Sequence, residues 1–329
     1  MYRSTYDSER QIATDHEHIA LVKAAIEKTF DHYFERFVAE CQPKAGVAAA
    51  AAVLSTKFKV KSEPLDPAPG VRQRFAGAID AYRKEADRYR GFFNEETLDE
   101  YRQSDPKIFK RDLAQVRNCR IIADCVKSPR EDMRLWQAKF AGRSAVELLD
   151  VFTNLFNAAV EYSASCERSA YAAANCREDL QLDQFDNDET LRADGVVGNG
   201  IKSYVLYHLF PDVFPICARQ ALFALYFLSN KEHFGLESGT SEFLMIDDTR
   251  PEKQIRTMEH NYWYPYSLLT WHRLELSRLI ESRCAKLGIA MDPNWRYVYT
   301  SPFVESIVSG QEEVEALRAM RLPKDEDHW

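Results

Sequence analysis

A chain of 329 residues exceeds the usual single-domain size, and its 45% hydrophobic and 12% aromatic content supplies a large core, which excludes global disorder. A formal net charge of −8 excludes a protein that coats nucleic acid through bulk positive charge, leaving room only for a local basic patch. No run approaches the roughly 18–20 apolar residues that span a bilayer, and the polar start from Met1 to Arg10 lacks a leader's pattern, so a cytoplasmic address without membrane contact is expected.

In chain order, Thr14 and Glu17 have the spacing of a capping box. The stripe Ile19, Val22, Ile26, Tyr33, Phe37 and Cys41 then predicts a helix that Pro43 and Gly46 close. Asp15-His16-Glu17-His18 has the residue types of a metal site, but two histidines two apart leave a helix on different faces, so a surface role is expected. Ala48 to Ala52 suits a packed helical turn, Phe58 and Val60 a short extended edge, and the prolines between Glu63 and Gly70 a loop. Val71, Phe75, Ile79, Tyr82, Ala86 and Tyr89 form a second helical stripe. A third follows Pro106 through Phe109, Leu113, Val116, Ile121 and Cys125 to Ser128-Pro129. Leu135 to Tyr171 reads as helix, carrying Phe140, Val146, Leu149, Phe152, Phe156, Ala159 and Tyr162 inward. Polar residues from Arg177 to Thr190 break the periodicity and place a boundary between an N-terminal helical domain, 1–178, and a C-terminal one, 179–329.

The segment from Leu191 to Leu225 centres on Gly198-Asn199-Gly200, which leads straight into an apolar helix. Glycines there let backbone amides approach an anion where the helix dipole favours negative charge, and a phosphate is the natural anion. The arrangement resembles the helix-hairpin-helix of DNA glycosylases, in which a hydrophobic-Gly-x-Gly hairpin grips a DNA backbone without reading sequence; Val197, Gly198 and Gly200 fill the pattern here. The resemblance implies a Schiff-base lysine at Lys202 if the chain is an enzyme, and a catalytic aspartate in a Pro-hydrophobic-Asp turn. This chain has Pro215-Ile216-Cys217 in that turn. A thiol cannot replace the carboxylate that assists departure of the base, so base excision is not expected. Arg192 and Arg219 are auxiliary cations for the same site. The similarity covers about a tenth of the chain. The competing reading makes Gly198 and Gly200 the cap of a buried helix with Lys202 in solvent.

Further on, Glu242 to Asp247 reads as a short buried strand after the turn Gly235 to Ser241, and Leu268 to Leu287 as a long helix capped by Gly288. Between them, Tyr262, Trp263, Tyr264 and Trp271 belong to a dense ring cluster, either a stacking or partner patch or a packing seam. Asp247 and Asp248, with Asp183, Asp186, Asp188 and Glu189, are weak candidates for a divalent metal, and solvated loops are the expected account of both groups. Seven dispersed cysteines without a CxxC pair read as reduced thiols in the interior.

These features predict a mainly α, multi-helical protein with a helix-hairpin-helix-like element and at most a few short strands in its C-terminal half. The expected function is sequence-nonspecific binding of a DNA or RNA backbone, without a cofactor. Two alternatives stand beside it. One is a DNA-processing enzyme, either a Lys202-dependent lyase or a metal nuclease. The other is a non-enzymatic scaffold that docks a protein partner.

Overall fold

The computed structural model describes residues 11–42, 66–236, 241–247 and 257–309. Helix α1 (His16–Glu40) starts at Asp15, whose carboxylate accepts from the amides of Glu17 and His18. The cap expected at Thr14 is thus displaced by one residue, and Thr14 bonds back to the Gln11 carbonyl. A carboxylate serves better there because its charge also meets the positive end of the helix. Ile19, Val22, Ile26, Phe30, Phe34 and Phe37 are buried, with Tyr33 at the edge of the stripe. The Ala48–Ala52 and Phe58–Val60 expectations fall outside the described residues.

Helix α2 (Ala68–Phe92) buries Val71, Phe75, Tyr82, Ala86 and Tyr89 and begins inside the stretch expected as loop, with Pro69 in its first turn. The single helix expected after Pro106 is two: after α3 (Glu95–Gln103) come α4 (Pro106–Leu113) and α5 (Arg120–Lys127). Val116 lies exposed in the break. Leu135 to Tyr171 is likewise three pieces, α6 (Arg134–Gly142), α7 (Ala145–Ser165) and α8 (Arg168–Ala173). Ser144 restarts the helix by accepting from the amide of Glu147.

The C-terminal half holds α9 (Asp183–Asn187), α10 (Asn199–Leu209) and α11 (Arg219–Leu228). A two-stranded antiparallel sheet follows, β1 (Leu244–Asp247) and β2 (Thr257–His260), in register Leu244 to His260. The long α12 (Tyr266–Lys286) is closed by Gly288 at φ +66°, and α13 (Arg296–Ser309) ends the described chain. The protein is therefore mainly α and multi-helical, with one two-stranded sheet among the described residues.

The core crosses the boundary expected near residue 179. Helix α1 packs on α11, α12 and α13, and α2 packs on α10 and α13. Phe303 of α13 lies 5.5–6.3 Å, ring to ring, from Phe30, Phe34 and Phe37 of α1. Both halves contribute to one apolar cluster, because the inward stripes of α1 and α2 find their complementary faces only in the second half. All seven cysteines are unpaired; Cys119, Cys217 and Cys284 are buried and the other four half-buried. No helix among the described residues is long and apolar enough to cross a membrane.

Candidate nucleic-acid interface

The approach to α10 is a tight turn. Ala193 pairs with Val197 through two backbone bonds of 2.7 and 3.2 Å, and Gly195 turns the chain at φ +70°. The buried side chains of Val196 and Val197 anchor it, while Trp136 donates to the Val196 carbonyl at 2.9 Å and Arg143 to that of Asp194 at 2.6 Å. Gly195 is the residue whose backbone requires glycine, three residues before the Gly198 that fills the hairpin pattern in the sequence.

Gly198 then stands at the N-cap in extended geometry and supplies no side-chain cap. The amides of Asn199, Gly200 and Ile201 have no acceptor among the described residues. Such orphan donors at a helix start are ordinarily met by a cap, water or an anion. Gly198 and Gly200 are exposed. A methyl group added at Gly198 would meet nothing within 4 Å, and one at Gly200 only the Cys217 carbonyl at 3.7 Å.

Asn199 donates from Nδ2 to the carbonyl of Tyr264 at 3.0 Å, which ties the ring-rich segment to this helix end. The predicted ring cluster divides there. Tyr262 and Trp263 are 41% and 47% exposed, with ring centroids 5.5 Å apart, whereas Tyr264 and Trp271 are core residues and form no stacking surface. The turn after β2 places two rings outward and the next inward, and Trp271 lies on the inner face of α12. Arg219 sits 3.8 Å from Glu259, and Arg192 is bonded to Glu189. Each auxiliary cation is therefore held by a carboxylate.

Lys202 is 3% exposed and donates from Nζ to the Phe185 carbonyl. Burial pulls its pKa down to about 8, partly offset by the carboxylate of Asp186. Neither the solvated lysine nor the phosphate-contacting lysine of the sequence reading is found, because the first turn of α10 presents this position to α9 rather than to the open side. Cys217, in the place of the glycosylase aspartate, is buried, and burial pushes its thiol up to about 12.

The acidic residues are occupied elsewhere. Asp186 caps α12 by accepting from the amides of Tyr266 and Ser267, Asp183 pairs with Arg177, and Asp188 bonds Thr190. Asp247 ends β1, and Asp248 lies outside the described residues. Among the described residues no three His, Cys, Asp or Glu side chains are grouped to hold a metal ion. His16 is exposed, but His18 is buried against Glu242, which also accepts from Tyr264, so the surface role expected for His18 does not hold.

A second feature escaped the sequence reading. His208, at the far end of α10, is buried among Tyr82, Tyr89, Tyr204 and Tyr207. The signal was present as Tyr204-x-x-Tyr207-His208 facing the Tyr82 and Tyr89 stripe, one helical face against another. Only tertiary contact shows that the two stripes meet. The chain matches no protein-family model, no curated protein and no solved structure.

Proposed function

We propose that the chain binds the backbone of a nucleic acid, without sequence preference, at the N-terminal end of α10. The observation that supports this most is the uncapped start of α10 with its exposed Gly198 and Gly200, tied by Asn199 through the Tyr264 carbonyl to the segment that carries the exposed pair Tyr262 and Trp263. Amides that take a phosphate oxygen beside rings that take a base face are the two elements of single-strand binding. Base excision finds no support, because a Schiff base needs an accessible amine and Lys202 is sealed against Phe185.

Charge limits the strength of this binding. With Lys202 inside and both arginines shared with carboxylates, no more than one or two phosphates are neutralised. The slope of log affinity against log salt is then no steeper than about −1.4, rather than the steep dependence of a basic protein. Fluorescence anisotropy with labelled oligothymidine between 50 and 200 mM salt tests this. The parent is expected to bind weakly, with Gly200→Leu and Trp263→Ala each losing most of the signal. Equal binding by parent and both variants, or no binding by the parent at 50 mM salt, would overturn the reading.

A further inference from the structure

A cleft of about 870 Å³ lies beside the C-terminal end of α10, between α2, α5, α10 and α13. That volume is within the ordinary range for small-molecule sites. Its α2 wall is cut low by Gly77, Ala78 and Ala81, and a methyl group added at Gly77 would meet nothing within 4 Å. Its floor is formed by Tyr204, Tyr207 and His208.

His208 is 4% exposed, and its ring stacks on Tyr89 with centroids 4.3 Å apart and planes 11° apart. Nδ1 lies 2.7 Å from the Tyr204 carbonyl. A carbonyl only accepts, so Nδ1 carries the proton and Nε2 presents a lone pair. Burial among the rings pulls the pKa of His208 down to about 4, which keeps this tautomer neutral at physiological pH. No group among the described residues bonds Nε2, and the atom is not among the buried, unpartnered ones. An acceptor thus faces the cleft without a donor.

A second unmet acceptor stands in the wall. Glu40, Glu85, Asp124 and Glu305 are each paired with an arginine, Arg36, Arg88, Arg120 and Arg74 in turn, so their charges are balanced. Glu85 Oε1 is shielded from solvent and also lacks a donor. Tyr82, Tyr204 and Tyr207 add aromatic surface. An anion would bring further acceptors to atoms that only accept, and a neutral apolar body would leave the histidine acceptor unsatisfied. The complement is an N–H donor that carries positive charge on a compact, partly apolar frame.

We infer that this cleft is a binding site for a small organic cation, whose nitrogen donates to Nε2 of His208 while its frame lies against the tyrosine rings. The site is separate from the α10 N-terminus, and its occupancy does not require nucleic-acid binding.

Benzamidine serves as the probe, with benzamide and benzoate as its neutral and anionic isosteres. Calorimetric titration of the full chain is expected to give saturable 1:1 binding of benzamidine, at least ten-fold tighter than of either isostere. Gly77→Leu fills the cleft from an open helical position, and it is expected to fold as the parent does and to lose binding at least ten-fold. His208→Phe keeps the ring and removes the acceptor, and it is expected to lose binding to a similar degree. The Nε2 resonance of His208 in a long-range ¹H–¹⁵N spectrum is expected to shift on titration with benzamidine. Absence of benzamidine binding, equal binding of the isosteres, or undiminished binding by Gly77→Leu would overturn the proposal.

Discussion

Lys202 carries an ammonium group into the interior with one carbonyl as its hydrogen-bonding partner. Its pKa, pulled down to about 8 from 10.5, fixes how its contribution depends on pH. Below pH 8 the buried charge destabilises the fold by about 3 kcal/mol, and between pH 8 and 10.5 the unfolded chain binds more protons than the folded one, so the penalty is relieved as pH rises. Lys202→Met removes the titrating group and keeps the volume. Urea midpoints at pH 7 and pH 10 are expected to show the variant as the more stable protein at pH 7, with an advantage about 2 kcal/mol smaller at pH 10. A difference that does not change with pH would show that the amine's pKa is not lowered in the folded protein. The tightness of the site also has a chemical consequence, since an amine facing Phe185 serves packing and cannot approach a sugar carbon.

At the scale of elements, the turn before α10 and the first turn of α10 make opposite demands on glycine. Gly195 at φ +70° adopts a conformation that costs an ordinary residue about 1–2 kcal/mol. Gly200 is an exposed helical position where alanine adds up to about 1 kcal/mol. Thermal unfolding should therefore rank Gly195→Ala below the parent and Gly200→Ala at or above it; the reverse order would relocate the bend to Gly198–Gly200. The sequence pointed to this segment because a Gly-x-Gly before an apolar helix is a local pattern. It did not distinguish the glycine that turns the chain from those that open the helix start, since φ is set by the pairing of Ala193 with Val197. The long helices were legible for a related reason: in α2, Val71, Phe75, Tyr82, Ala86 and Tyr89 repeat every three to seven residues and all lie inside. The breaks before α5 and α7 were not, because helix-spaced apolar residues lie on both sides of each, and a single residue such as Ser144 restarts the helix. The burial of Lys202 had no local signal at all, its partner Phe185 being on another short helix.

For the whole molecule, the boundary near residue 179 separates composition but does not separate cores. The three phenylalanines of α1 that face inward all meet Phe303 of α13, Phe75 of α2 meets Tyr299 at 5.1 Å, and Tyr82 meets Tyr207 at 5.2 Å. A fragment ending at residue 178 would expose these stripes to water, at about 1.5–3 kcal/mol for each large side chain, more in sum than the usual 5–15 kcal/mol of net stability. The polar contacts across the boundary follow the same course, with Tyr171 bonded to the Val213 carbonyl at 2.8 Å and Arg278 to that of Ala174 at 2.6 Å. Residues 1–178 and 179–329 expressed separately are therefore expected to lack a cooperative unfolding transition, while the intact chain unfolds in one step by tryptophan fluorescence and circular dichroism alike. A cooperative transition in either fragment alone would show an independent core. Coincident transitions in the intact chain would further mean that the α10 N-terminus and the His208 cleft, at opposite ends of one helix, are held by the same folding event, so destabilising variants at either place should be tested for fold before loss of binding is assigned to the site.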